Sequence, residues 1–287
     1  MALVAPAGPL RNAAELDTAI ANAESLGWTP SVGAHVLARD GYLAGTDAER
    51  LADLNNALKG SSTDGIWCLR GGYGTMRLLD RVDYAALASR PRAIIGFSDV
   101  TALHAAVGRR ADLVSYHGPT ARGPLAPFSR DSLVRAVATG SDSCGDARGA
   151  RTIAPGRARG RLVGGNLALL ASLAGTAYAP DYAGAILVLE DVGEPTYRID
   201  RMLTQLALSG ALSKLAGIVA GQFTDGTPSH DASSRKLDDV LREAAAIAKV
   251  PAIAGAPIGH IDEQWTIPLG ATAELDADAR TLHVLDG

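Results

Sequence analysis

Arg92-Ala93-Ile94-Ile95-Gly96-Phe97-Ser98-Asp99-Val100-Thr101-Ala102-Leu103-His104 is the stretch around which the chain is organised. Ala93 to Ile95 is an apolar run of the kind that forms a buried strand. Gly96 breaks it, Ser98 follows at the turn, and Asp99 to Ala106 reads as the start of a helix. A serine at a sharp strand-to-helix turn has its hydroxyl pushed clear of the backbone, beside helix N–H groups that lack partners. Those groups and the helix dipole favour negative charge developing there. Two readings stand at this point: Ser98-Asp99 is a helix cap, or Ser98 is a nucleophile. Val100 occupies the place of the last glycine of a G-x-S-x-G elbow, which argues against an ordinary α/β-hydrolase.

Outward from this stretch the chain alternates strand and helix patterns. Ala2 to Ala5 reads as a first strand, and a helix capped by Asn12 carries Leu16, Ile20, Ala23 and Leu26 at helical spacing. A second strand is expected near Ser31 to Leu37. Thr46-Asp47-Ala48-Glu49 is a capping box that opens a helix stopped at Gly60. Gly65 to Leu69 is a buried strand running into Arg70-Gly71-Gly72-Tyr73-Gly74, whose glycines permit close backbone approach or positive φ. No Lys-Ser/Thr follows as in a P-loop, and the G-x-G-x-x-G spacing is absent. A turn offering an oxyanion hole and a plain glycine turn both remain. Asp112 to Tyr116 reads as a strand ending in His117-Gly118-Pro119, so His117 is a candidate general base or a structural loop histidine. This alternation predicts a mostly parallel sheet covered on both faces. Ligands bind at the carboxyl edge of such sheets, where Gly71, Gly72, Ser98 and His117 would gather.

Ser129 to Thr139 is expected to be a helix capped by Ser129. Residues 140–160, rich in Gly, Ser, Asp and Arg without apolar period, read as a linker. Beyond it come a short helix Leu167 to Leu173, an apolar strand Ala185 to Leu189 ending in Glu190-Asp191, and a helix Ile199 to Leu208. A strand Gly217 to Ala220, a helix Leu237 to Ala248, and a closing hairpin of Ala271 to Leu275 with Thr281 to Leu285 complete the chain. The predicted organisation is an N-terminal α/β domain over 1–140, a linker over 141–160 and a smaller mixed C-terminal domain over 161–287.

Composition narrows the function classes. The 287 residues are 47% hydrophobic and 20% charged, which suits a sizeable core and not disorder. A net charge of −4 gives no general attraction to nucleic acid. Two cysteines, Cys68 and Cys144, make no disulfide framework. Met1 to Gly8 lacks the basic start of a signal peptide, and no apolar run approaches membrane-spanning length, so a cytoplasmic setting is expected. Ser98, Glu190 and His260 supply a nucleophile, an acid and an imidazole. A zinc site from His117, His260, Glu190 and Asp191 is the rival, but the chain has no H-x-x-x-H or H-E-x-x-H spacing.

Several ordered motifs together carry a resemblance. They are Arg70-Gly71-Gly72-Tyr73-Gly74, Ile95 to Leu103, His117-Gly118-Pro119, Leu162-Val163-Gly164-Gly165-Asn166-Leu167, Leu189 to Pro195, Tyr197 to Leu203, and Gly259-His260 before Ile267-Pro268-Leu269-Gly270. In this order the chain resembles the LD-carboxypeptidase family of serine peptidases, which includes the microcin C immunity peptidases. The resemblance implies a flavodoxin-like or Rossmann-like N-terminal domain, a mixed C-terminal domain, and an active site between them. It implies Ser98 as nucleophile, His260 as base and Glu190 as its orienting carboxylate. It further implies an oxyanion hole from the N–H groups of Asp99 and the Gly71-Gly72 turn. Arg70, Tyr73 and His117 are candidate substrate-binding residues, with Arg70, Arg77 or Arg198 as cations for a terminal carboxylate. By the resemblance the substrate is a peptidoglycan tetrapeptide losing its terminal D-alanine, no cofactor or metal is expected, and the protein is a homodimer. Two alternatives are a microcin-like peptidyl-nucleotide hydrolase and a non-catalytic peptide-binding protein on the same fold.

Overall fold

The computed structural model describes residues 1–226 and 235–286. The first half contains β1 (Ala2–Val4), α1 (Ala13–Ser25), β2 (Ser31–Val32), α2 (Asp47–Lys59), β3 (Gly65–Cys68), α3 (Tyr84–Ser89), β4 (Ala93–Gly96), α4 (Thr101–Ala111), β5 (Ser115–His117) and α5 (Pro127–Val134). There follow β6 (Gly145–Asp146), β7 (Arg151–Ala154), β8 (Arg157–Asn166), α6 (Leu167–Leu173), β9 (Ile186–Val192), α7 (Thr196–Leu208) and β10 (Gly217–Thr224). The chain ends with α8 (Leu237–Ala248), β11 (Ala252–Ala254), β12 (Ile267–Leu269), β13 (Thr272–Asp276) and β14 (Thr281–Asp286).

Among the described residues these strands form two sheets. The first runs β12-β5-β4-β3-β1-β2, and β2, β1, β3, β4 and β5 are mutually parallel. That order, 2-1-3-4-5, is the doubly wound arrangement of flavodoxin-like sheets, as expected. One face buries Val4, Ile66, Ile94 and Leu103, and the other buries Leu3, Trp67, Leu69 and Ile95. The period-two split of β3 and β4 between these two cores is what a strand covered on both sides requires. The second sheet runs β6-β14-β13-β8-β9-β10-β11-β7, with β8 to β11 parallel and antiparallel strands outside them. It too has a core on each face. Ala102, Ala105 and Ala106 of α4 pack with Leu173 of α6 and join the two halves. No helix among the described residues is long and apolar enough to cross a membrane.

Local signals explain most of the element limits. Asn12 caps α1 by accepting from Glu15 N, and Thr46 and Glu49 form the reciprocal capping box of α2. Other expectations fail for identifiable reasons. Ser129 is not a cap: Ala126 is, with Pro127 as the first helical residue. The Ser129 hydroxyl instead donates to Asp262 O at 2.8 Å and accepts from Gln264 N at 2.9 Å. Ser132 accepts from Thr266 N at 2.8 Å and donates to Ser143 O, so α5 holds the 262–266 segment by two hydroxyls. Residues 141–160, expected as a linker, contain β6, β7 and the start of β8. β6 and β7 are the edge strands of their sheet and the start of β8 has alternate residues exposed, a polar composition that does not separate such strands from a linker. β2 covers Ser31–Val32 only, and the strand expected at Asp112 to Tyr116 begins at Ser115 and includes His117. β9 extends through Glu190 and Asp191, which are inside the strand and not beyond it. β12, from the second half, pairs antiparallel with β5, setting Ile267 opposite His117. No pattern of apolar residues announces a pairing at such separation.

Two histidines lie buried in the first half. His104 bonds Ser115 Oγ through Nδ1 at 2.9 Å and Gly96 O through Nε2 at 2.8 Å. Burial lowers its pKa to about 4, and lowers that of His117, with help from the nearby His104 and His260, to about 3. Both folded values lie below the ordinary 6.5, so the unfolded chain binds protons that the folded one refuses. The resulting stability is complete above the unfolded value and is lost as pH falls through it. Unfolding free energy from urea titrations should be level near neutrality and decline below about pH 6.5, by up to about 1.4 kcal/mol per pH unit for each histidine. Ser129→Ala should lower stability by about 1–2 kcal/mol in the same assay, because the buried Gln264 N–H loses its acceptor.

Candidate active site

Ser98 sits in the left-handed region, with φ 63. A non-glycine residue there costs on the order of 1–3 kcal/mol and persists only where its surroundings enforce it. The enforcing contacts are visible. Ser98–Val100 form one 3-10 turn that feeds α4. The Asp99 carboxyl is buried and accepts from Thr75 N at 2.8 Å, anchoring the turn to the segment after β3. Burial raises the Asp99 pKa, against hydrogen bonds from Thr75 and Gly74 that lower it. Gly71 faces the serine so closely that a Cβ on it would lie 2.7 Å from Ser98 Cβ and 2.9 Å from Oγ. The Gly71 carbonyl accepts from Gly8 N at 3.0 Å, and the buried Arg50 donates to Pro6 O and to Gly74 O, the latter at 3.0 Å. The loops after β1 and β3 are thereby fastened together beside Ser98. The N–H groups of Gly72 and Asp99 have no partner among the described residues.

Glu190 lies within β9, paired in register with Asn166, the last residue of β8. It is wholly buried, and its Oε2 lies 2.8 Å from His260 Nδ1. Oε1 has no partner among the described residues. The segment carrying His260 can reach the carboxylate because Gly259 has φ +117, and a Cβ there would come 2.9 Å from Oε2. The imidazole is 23% exposed and rests against Phe97, the residue before Ser98, with ring centroids 4.7 Å apart. With Nδ1 engaged by a carboxylate, Nε2 is the nitrogen left to exchange a proton. The structure therefore brings Phe97-Ser98 and the Glu190–His260 pair to one place.

The neighbouring residues have other tasks. Asp191 accepts from Asn166 Nδ2 at 2.9 Å, Ala168 N at 2.9 Å and Val192 N at 2.8 Å, which fixes the start of α6. Burial raises its pKa against these bonds. Thr101 Oγ1 accepts from Asn166 N at 2.9 Å and ties the serine helix to the end of β8. His117 is fully buried with both ring nitrogens unpartnered among the described residues, and its ring is 6.0 Å from that of Phe97. It lies beneath the site and offers no open face to a substrate. Arg70 donates to Pro9 O, and Tyr73, 48% exposed, meets Tyr42 edge to face at 5.6 Å. Arg77 is held by Asp47 at 2.8 Å and Arg198 by Glu194 at 3.3 Å, so neither charge is free. Sequence reasoning missed Ser129 and Ser132, which brace the His260 segment, and Thr101. A serine three residues from another on one helix face is the only trace they leave. Among the described residues no group of three or more His, Cys, Asp or Glu could hold a metal ion. A cavity of about 360 Å³ between α4 and β8, lined by Arg109, Arg161 and Gly164, lies apart from Ser98 and His260.

The model of the LD-carboxypeptidase N-terminal domain matches residues 1–118, and that of the LD-carboxypeptidase C-terminal domain matches residues 159–275. The chain is 39% identical to the murein tetrapeptide carboxypeptidase of Pseudomonas aeruginosa, over 97% of this chain and 93% of that one. The crystal structure of muramoyltetrapeptide carboxypeptidase from Oxalobacter formigenes superposes with a TM-score of 0.88 at 30% identity, covering 99% of this chain and 97% of that one. An MccF-like protein of Bacillus anthracis superposes with a TM-score of 0.89 over 100% of this chain and 96% of that one, but at 23% identity it shares the fold alone. On the two domain matches and the full-length identity, this chain belongs to the LD-carboxypeptidase family.

Proposed function

We propose that this chain is a serine carboxypeptidase that removes the terminal D-alanine from murein tetrapeptides, cutting between an L-configured centre and the D-residue. The observation that carries the reading is the 2.8 Å contact of Glu190 with His260, beside a serine held at φ 63. The substrate class comes from relatives, one named for murein tetrapeptides and one for muramoyltetrapeptides. The proposal includes a cytoplasmic setting and a homodimer.

In the proposed reaction Ser98 Oγ attacks the scissile carbonyl carbon while its proton passes to His260 Nε2. Glu190 holds Nδ1–H and stabilises the imidazolium. The N–H groups of Gly72 and Asp99, at the Gly71-Gly72 turn and the start of the serine helix, receive the oxyanion. The carbon–nitrogen bond then breaks and His260 gives its proton to the amine of the leaving D-alanine. A water molecule loses a proton to the same imidazole and attacks the ester. The shortened peptide leaves and Ser98 recovers its proton. The buried, one-sided environment of Glu190 supports its role as a fixed acceptor. Its charge is unaccompanied at Oε1, so it gains most when the imidazole is protonated.

Incubating the protein with a tetrapeptide muropeptide and, separately, with a peptidyl-adenylate, and weighing the products by mass spectrometry, tests the reading. Release of D-alanine from the first is expected. Turnover of the second alone would replace it with the microcin-like alternative. Ser98→Ala should abolish turnover and labelling by a fluorophosphonate while leaving the circular dichroism spectrum unchanged. Glu190→Gln should lower kcat by roughly 10⁴. Gly71→Ala, which forces a methyl group against Ser98, should cost at least about 10² in kcat/KM.

A further inference from the structure

Four arginines converge on the carboxyl edge of the first sheet from four loops. Arg11 follows β1, Arg39 follows β2, Arg70 follows β3 and Arg122 follows β5. Arg39 Nη2 donates to Leu10 O at 2.8 Å, and Arg70 Nη1 donates to Pro9 O. Arg122 Nη1 donates to Glu15 Oε1 at 2.6 Å, and Arg11 Nε lies 3.9 Å from the same oxygen. Among the described residues Glu15 is the one carboxylate within ion-pair reach of any of the four. Arg39 and Arg70 spend hydrogen bonds on backbone carbonyls, which accept them without cancelling charge. The group thus holds four positive charges against one negative. The charges are close enough to act on one another. Burial holds the Arg70 guanidinium below its ordinary value, Arg122, Arg11 and Arg39 push it the same way, and Glu15 opposes them.

Such crowding of like charge is unfavourable unless an anion joins it. The location says which anion. In a sheet ordered β2-β1-β3-β4-β5 the connections reverse direction between β1 and β3, and ligands bind in the crevice beyond the carboxyl ends of those strands. Arg11 and Arg70 lie on the two loops that flank that crevice. Arg70 directly precedes Gly71, which faces Ser98, and it grips Pro9, the neighbour of the Gly8 that bonds Gly71 O at 3.0 Å. The cluster is open to solvent, with the Arg11 side chain 70% and that of Arg122 25% exposed.

We propose that Arg11, Arg39, Arg70 and Arg122 form an anion subsite at the rim of the Ser98 cleft, which binds a free carboxylate of the peptide substrate. Guanidinium forks match carboxylate oxygens in pairs, which a lysine cluster would not do. The proposal rests on the peptidase reading above and names what that site recognises. A murein tetrapeptide with lysine at its third position, the form used below, offers two such carboxylates, one at its carboxyl terminus and one on its γ-linked glutamate.

Binding by the turnover-blocked Ser98→Ala protein tests the subsite without relying on hydrolysis. Calorimetric titrations would use three tetrapeptides: the free acid, the form amidated at the carboxyl terminus, and the form amidated at the γ-linked glutamate. One amidated form is expected to bind about tenfold more weakly than the free acid, and its identity tells which carboxylate the cluster holds. Adding Arg39→Gln should weaken the free acid and leave that amide unchanged, erasing the difference between them. Equal affinity for all three peptides overturns the subsite. So does a difference that survives Arg39→Gln. Arg39 is exposed and contacts one carbonyl, and the unchanged amide affinity reports that the fold is intact. Failure of the unmodified protein to release D-alanine would instead strike the peptidase reading, so the two failures are told apart.

Discussion

A carboxylate with no exposed surface and a single basic partner is the constraint from which the rest of this structure follows. Glu190 is wholly buried, and its partner is the Nδ1 of His260 at 2.8 Å. Burying an ionised carboxyl is costly unless its charge is met by hydrogen bonds or an opposite charge. Here the other oxygen goes without among the described residues. The imidazole must then be held firmly enough that the pair does not come apart and leave a bare charge inside. That demand accounts for the glycine before His260, the Phe97 ring against it, and the two α5 hydroxyls that grip the 262–266 segment. Each of these would be idle in a protein whose Glu190 reached water.

Ser98 answers the same demand from the opposite side. Its strained backbone is maintained by Asp99 hydrogen-bonded to Thr75, by Thr101 hydrogen-bonded to Asn166, and by Gly71 pressed against its side chain. Asp191 uses its own three hydrogen bonds to fix the start of α6, next to Asn166. Adjacent carboxylates therefore divide the labour. One orders the backbone and is fully satisfied, while the other keeps an unsatisfied oxygen and faces the imidazole. Environment, and not residue type, makes the distinction.

The sequence carried more of this than composition suggests, and its gaps are physical. Apolar runs at Gly65 to Leu69 and Ala93 to Ile95 read directly as the buried strands they form, because both faces of a doubly covered strand must be apolar. Thr46 with Glu49 declared its helix start through chemistry confined to four residues. The stretch 141–160 did not read as strands because β6 and β7 lie at the two edges of their sheet, where polar residues are favoured, and the start of β8 alternates partly covered and exposed residues without an apolar period. Ser129 looked like a cap because a serine near a helix start usually is one. Its two partners are more than 130 residues away in the chain. His117 looked like a loop residue because its strand is three residues long and its outer neighbour, Ile267, arrives from the far end of the sequence. Ser98, Glu190 and His260 could be named in order, but the contact that joins the last two depends on a backbone path that only Gly259 hints at.

The pairing of β12 with β5 has a consequence for how the chain is made. Five strands of the first sheet are complete once His117 has been synthesised, yet the sheet's outer rim along β5 stays uncovered until Ile267–Leu269 leave the ribosome about 150 residues later. At synthesis rates of roughly 5–20 residues per second, that interval is on the order of ten seconds or more. Throughout it, an early-folding lobe displays free amide and carbonyl groups able to recruit a stray strand from a neighbouring nascent chain. A segment that emerges late is thus the one that makes the first lobe safe in company.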